Sequence, residues 1–331
     1  MSTDAIYVPP QRIGITEIGE NDAIRVAATV EAACEVFALH DYVVAELVKH
    51  SNVTARLVST TGPPLALRLR TAPGVDGRTE FAWLDAVRRG TDLAVVEPFA
   101  EEFDRTLRMV TGPDGRPVEC ALFRWAEGRP LAADLTEVNY HALGRMSARL
   151  HRFSSTWTPP SGLRPLVWDR TMYYGGTSLV IGDDRYLEVV SRRDAATVHD
   201  VVREADRELA RLARAADRMF LHGNIEMWNV LTTGPGELRL LDFEDVMVGP
   251  PVLDVAVTLF YGRERADHGA LVRAYEAGYR TVREWPVRDR RQMDLLVAAR
   301  AAMLLNHGLQ TEADPRSVTE RLLPLILAAA A

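Results

Sequence analysis

The sequence predicts an α+β protein of two lobes, a small antiparallel-sheet lobe followed by a larger helical one. Short apolar runs separated by turn signals crowd the first 125 or so residues, and apolar positions at helical spacing dominate the remainder of the chain. A β-rich island returns late, at Met219–Leu221, Val230–Leu231 and Leu238–Phe243, enclosing the polar stretch His222–Asn229. At 331 residues the chain is long enough for two cores.

Taken in order, apolar residues at helical spacing run from about residue 26 to Phe37, and Val43, Val44, Leu47 and Val48 then lead into a polar turn, Ser51-Asn52-Val53-Thr54. Arg56–Thr60 and Leu65–Arg70 read as strands joined by the hairpin signal Thr61-Gly62-Pro63-Pro64. Glu80, Phe81, Trp83, Leu84 and Val87 repeat as one helix face, and further strands are expected at Leu93–Pro98, Thr106–Val110 and Val118–Trp125. Ala126–Pro130 reads as a linker, which divides the chain into a nucleotide-side lobe of residues 1–122 and a second lobe of residues 123–331. Beyond it, Tyr140, Leu143, Met146, Leu150 and Phe153 line one helix, and Val198, Val201, Val202, Ala205, Leu209 and Leu212 line another. Helices resume at Val255 after the β-rich island.

Composition excludes several classes. A net charge of −7 without any run of basic residues argues against nucleic-acid binding. No apolar stretch reaches membrane-spanning length, and residues 1–19 lack the pattern of a secretory leader, so a cytoplasmic place is expected. The two cysteines, Cys34 and Cys120, make neither a disulfide framework nor a metal site and read as buried thiols.

The polar stretch carries the chemistry. Phosphoryl-transfer loops place an acceptor-facing Asp and a metal-binding Asn five residues apart, with a second Asp at a strand end gripping the metal. Here the first position is Asn224, the second Asn229, and Asp242 follows the strand-like Leu238–Leu241. An amide oxygen and a carboxylate suit the oxygen preference of Mg2+. Nucleotide phosphates also need a cation held by a helix carboxylate. Arg68 and Arg70 share strand parity, and Arg68 paired with Glu80 is the expected phosphate cation. Asn52, in the turn where a phosphate-covering loop should lie, and Phe123 and Trp125, at the lobe junction where a base would meet backbone, complete the expected nucleotide set. His222 reads as a packed, hydrogen-bonded histidine.

In these motifs the chain resembles the aminoglycoside phosphotransferase-like superfamily, nearest its homoserine-kinase and stress-response-kinase branch. Asn224 and Asn229 fall on the catalytic loop of that family, Asp242 on its metal aspartate, and Gly249-Pro250-Pro251-Val252-Leu253-Asp254-Val255-Ala256 on its Gly-x-Pro-x-x-Asp-Leu-Ala element. Leu67-Arg68-Leu69 with Glu80 resembles the small lobe of that branch. The resemblance implies a two-lobed protein-kinase-like fold, ATP or GTP with Mg2+, and transfer to a hydroxyl of a small molecule (an antibiotic or an amino-acid-like compound) or of a peptide Ser or Thr. It also implies that Asp254 braces the catalytic loop, and that the acceptor is held within Leu163–Leu187 and Tyr275–Gln310.

The departure is Asn224. A carboxylate there would orient the acceptor hydroxyl and take its proton, whereas an amide can only orient it. Three readings compete: an engineered Asp→Asn change that blocks turnover, a native Asn in a pseudokinase that binds nucleotide and regulates a partner enzyme, or a native Asn in an active enzyme recruiting another carboxylate, with Glu226, two residues on, the obvious one.

Overall fold

The computed structural model describes residues 20–49, 52–70, 75–173, 178–263, 265–311 and 314–330. The N-terminal segment read for a leader and Ser51 of the expected phosphate loop lie outside them, as does part of the first acceptor segment.

Helix α1 (Glu20–Val36) precedes a five-stranded sheet built from β1 (Val43–Lys49), β2 (Val53–Val58), β3 (Leu65–Leu69), β4 (Leu107–Thr111) and β5 (Pro117–Arg124), with α2 (Gly77–Gly90) and the single turn α3 (Phe103–Thr106) between β3 and β4. The spatial order is β1-β2-β3-β5-β4, every pair antiparallel. Alternation explains why these segments lie flat. In β2, Val53, Ala55 and Leu57 are buried and the residues between them are not. Strand β1, expected only as a lead-in to a turn, lacks that alternation. Its apolar residues face both ways, a bulge shifts the register between Val44 and Glu46, and Val43 is 64% exposed on the sheet edge.

Leu93–Pro98, expected as a strand, is instead a bridge between sheets. The amide of Val96 donates to the carbonyl of Leu240 (2.8 Å), and the amides of Arg124 and Phe99 donate to the carbonyls of Glu97 and Leu122 (2.8 and 2.9 Å). Pro98 removes a ladder donor, which keeps the segment from joining either sheet as a full strand. Asp76 caps α2, its side chain accepting from the amide of Thr79. Trp83, Leu84 and Val87 of α2 are fully buried, and the Trp83 ring packs on Phe153, Trp157 and Phe220. The helix is therefore a seam between lobes, and Glu80 rides on it.

The larger lobe continues with β6 (Arg129–Pro130), α4 (Glu137–Ser154), β7 (Leu166–Val167), α5 (Arg192–Leu212), β8 (Met219–Leu221), β9 (Val230–Gly234), β10 (Glu237–Leu240) and β11 (Met247–Gly249). Helices α6 (Val252–Phe260), α7 (His268–Arg280), α8 (Arg290–Thr311) and α9 (Pro315–Ala328) close it. The late island forms two small sheets, β10-β9-β6 and β7-β11-β8, and the catalytic-loop motif hangs between β8 and β9. A core joins α5, α6, α8 and α9, with Leu296, Ala298 and Leu305 fully buried. No helix among the described residues is long and apolar enough to cross a membrane. Both cysteines are free thiols, Cys120 buried and Cys34 partly so.

Candidate functional site

The loop leaving β8 is held from beneath by Asp254 of α6, a fully buried carboxylate. Its Oδ1 accepts from the amide of Gly223 (2.8 Å), and its Oδ2 accepts from the amide of His222 (3.1 Å) and lies 3.0 Å from His151 Nε2. His222 is fully buried, bonded through Nε2 to the carbonyl of Leu241 (2.8 Å) and set edge-on to Phe243. Burial lowers its pKa, so the ring is neutral, packed and hydrogen-bonded, as the sequence suggested. At Gly223 φ is +85°, and a Cβ there would stand 2.0 Å from the carbonyl oxygen of Asp245, so only glycine lets the turn after Asp242 close onto the loop.

Asn229 and Asp242 come together through the backbone. The amide of Leu241 donates to the carbonyl of Asn229 (2.8 Å), and Asn229 Nδ2 donates to the carbonyl of Asn224 (3.1 Å), which leaves the amide oxygen outside these bonds. Asp242 adopts a left-handed backbone, φ +57°, unusual for a residue with a side chain and costing on the order of 1 kcal/mol. Burial and the Glu244 carboxylate push its pKa well up. Among the described residues no three His, Cys, Asp or Glu groups gather in a metal-binding cluster. Two oxygen donors without a cage fit Mg2+, which keeps open positions for phosphate oxygens and water.

On the small-lobe side, Arg68 is 8% exposed, and its Nη2 reaches both oxygens of Glu80 (2.8 and 2.6 Å). Its Nη1 lies 3.3 Å from Asp242 Oδ1 and 3.7 Å from Glu244 Oε2. Burial opposes the guanidinium charge, but Glu80, Glu244 and Asp242 outweigh it and raise the pKa. Arg70 shares Glu80 (2.8 Å) and binds Glu119 (2.6 Å), and its buried Nη1 has no hydrogen-bond partner among the described residues. Asn52 Nδ2 donates to Glu244, which joins the expected phosphate turn to the same network. The Phe123 ring lies under Arg68 at 5.3 Å, and stacks on Phe81. Trp125 makes its contacts elsewhere, its ring facing Arg56 and its amide donating to the carbonyl of Pro64. Lys49 is the chain's single lysine, so the cation at this place is an arginine.

At the position expected to face the acceptor, Asn224 Nδ2 donates to Asp245 Oδ2 (3.0 Å), and its Oδ1 accepts from Arg300 Nη2 of α8 (3.0 Å). Arg300, 6% exposed, also donates to the Tyr173 hydroxyl (3.2 Å) and reaches that of Tyr261 (3.5 Å). Burial raises the pKa of Glu226, while Tyr261 and Arg300 act the other way. Arg70, Glu244, Asp245, Arg300, Tyr173 and Tyr261 carry no site role in the sequence reading. The parity of Arg70 with Arg68 was a usable signal, and so was a lone arginine in the apolar run Val297–Met303. Nothing local marks the tyrosines.

The fold has counterparts among solved structures. A microcompartment-associated aminopropanol kinase superposes with a TM-score of 0.74 at 21% identity, over 91% of this chain and 95% of that one. An amicoumacin kinase in complex with AMP-PNP, Ca2+ and its antibiotic gives 0.65 at 16% identity, over 87% and 88%. The GDP and kanamycin complex of an aminoglycoside 2″-phosphotransferase gives 0.62 at 14% identity, over 90% and 98%. No curated protein sequence matches the chain. The sequence profile of the phosphotransferase enzyme family matches residues 47–296, three-quarters of the length, and the chain belongs to that family.

Proposed function

We propose that this protein transfers the γ-phosphoryl group of ATP or GTP to a hydroxyl of a small molecule. The observation that carries the reading is convergence: Arg68 of the small lobe and Asp242 of the large lobe, 174 residues apart in sequence, meet at 3.3 Å. In this reading Arg68, oriented by Glu80, binds nucleotide phosphates, and Arg70 Nη1, which makes no hydrogen bond and lies 3.7 Å from Glu244 Oε2, gives a second donor for them. Asn229 and Asp242 would hold Mg2+, which when bound neutralises charge on the phosphate oxygens. Asn52 would approach the phosphates, and Phe123 and Trp125 the base. Family membership supports a small-molecule acceptor, and the nucleotides in the similar structures support a nucleoside triphosphate donor. An amino alcohol or an antibiotic hydroxyl is the acceptor to try first, given what those similar kinases are named for.

The test is a thermal-shift titration with ATP, ADP, GTP and GDP, with and without Mg2+, followed by mass analysis of a hydroxyl-compound panel. Stabilisation by one nucleotide pair, lost in D242N only for the Mg2+-dependent part, is expected, together with a gain of about 80 Da, one phosphoryl group, on an acceptor. No stabilisation by any nucleotide would overturn the reading. Binding without turnover on any acceptor would make the protein a nucleotide-binding module instead.

A further inference from the structure

The loop that should offer a base offers an amide, so the proton of the acceptor hydroxyl needs another destination. Asp245 is held at that place by three features. Its Oδ2 accepts from Asn224 Nδ2 at 3.0 Å. Its backbone comes so close to the loop that residue 223 has to be glycine. And the amide it accepts from cannot swing away, because Arg300 Nη2 donates to Asn224 Oδ1 from the opposite side, itself braced by the Tyr173 hydroxyl.

The pocket also discriminates between amide and acid at position 224. An amide has one donor edge and one acceptor edge, and here it meets one acceptor, Asp245, and one donor, Arg300. An aspartate would satisfy Arg300 but set two carboxylates at hydrogen-bond distance, and such a pair cannot be fully ionised at neutral pH. Asparagine is thus the residue the surroundings fit. Glu226, the other nearby carboxylate, has its pKa raised by burial, against which the Tyr261 hydroxyl and the charge of Arg300 act. That makes it the counter-charge of a buried guanidinium.

We infer that Asp245 is the catalytic carboxylate of this chain, with Asn224 and Arg300 as positioning residues that hold it against the acceptor hydroxyl. The inference rests on the phosphotransferase reading above. In the step, the acceptor oxygen forms its bond to the γ-phosphorus as the bond from that phosphorus to the β,γ-bridging oxygen breaks. The nucleoside diphosphate leaves with the electron pair, and the acceptor proton passes to the Asp245 carboxylate and from there to solvent.

The experiment needs no knowledge of the natural acceptor, since water can serve as the hydroxyl. Phosphate release from ATP and GTP with Mg2+ is measured for the parent, D245N and the exchange variant N224D/D245N, with ADP-Mg2+ thermal stabilisation as the binding control. D245N should bind ADP as the parent does and lose about 10²- to 10⁴-fold in turnover, the span of general-base contributions. The exchange variant, which reverses the carboxylate–amide pair without changing its shape, should regain roughly tenfold or more over D245N, part of that same span. A merely structural Asp245 predicts no such recovery. If D245N does not fold, D245E replaces it and should show the same loss, its carboxylate displaced by one methylene. Parent-like turnover in D245N overturns the inference, and so does turnover that survives D245N but vanishes in E226Q. A parent that binds nucleotide without any turnover overturns it while leaving nucleotide binding in place. A parent that binds no nucleotide removes both this inference and the reading beneath it.

Discussion

The two regions expected to hold phosphate and acceptor solve the burial of charge in opposite ways. On the phosphate side, Arg68 and Arg70 sit among Glu80, Glu119, Asp242 and Glu244, so each guanidinium has carboxylates within ion-pair distance and Glu80, 1% exposed, serves both. On the acceptor side, Arg300 is as deeply buried, yet its direct partners are an amide oxygen and two phenols. Among the described residues it has no carboxylate at ion-pair distance. The first arrangement is a lattice of opposite charges that collapses if one member goes. The second is a single cation steadied by neutral dipoles, with Glu226 compensating from further off.

The difference predicts unequal costs for the same substitution. R68M leaves Glu80 with Arg70 as its one remaining arginine and takes the guanidinium from Asp242 and Glu244 as well. Removing one partner of a buried pair costs about 3–5 kcal/mol, and urea denaturation of the nucleotide-free protein should show a loss of that size. R300M replaces the guanidinium with an apolar chain, leaves its direct partners, an amide oxygen and two phenols, each short of one hydrogen bond worth roughly 0.5–1.5 kcal/mol, and takes from Glu226 a charge it feels only at longer range. Counting the two bonds of ordinary length, 3.0 Å to Asn224 and 3.2 Å to Tyr173, its expected cost is about 1–3 kcal/mol in the same measurement, below that of R68M. Equal losses would mean that Arg300 is held by charge after all, and the contrast between the two sides would be wrong.

The same contrast explains what the sequence could tell. Part of the phosphate side is local: Arg68 and Arg70 are two apart at one strand's end and Glu80 is a helix turn beyond the next cap, whereas Asp242 arrives from 174 residues away. Strand parity brings Arg68 to Glu80, and motif spacing marks Asp242 without placing it on Arg68. The acceptor side is assembled from distant pieces, with Arg300 reaching Asn224 across 76 residues and Tyr173 across 127. No periodicity reports such a meeting, although the resemblance directed attention to the two segments that supply them. In the fold itself the larger errors fall where tertiary context overrides pattern. Strand β1 hides its alternation behind a bulge, and Leu93–Pro98 spends its strand-like residues on tying two sheets together.

His222 lies under both sides, its ring bonded to the carbonyl beside Asp242 and its Nδ1 accepting from the amide of Asn224 (3.3 Å), and it contributes a smaller, pH-dependent term. Burial depresses its pKa in the folded protein below the ordinary value of about 6.5. The unfolded chain therefore binds more protons in the interval between the two values. Stability attributable to this group is complete above the unfolded pKa and is lost as pH falls toward the folded one, with a slope of at most about 1.4 kcal/mol per pH unit. Urea midpoints at about pH 7.5 and about pH 5.5, on either side of the unfolded value, should thus fall further apart in the parent than in H222Q, whose amide can hold the Leu241 carbonyl without titrating. An unchanged pH dependence in H222Q would show that protonation beneath the loop does not couple the two sides, leaving Asp254 alone as their common support.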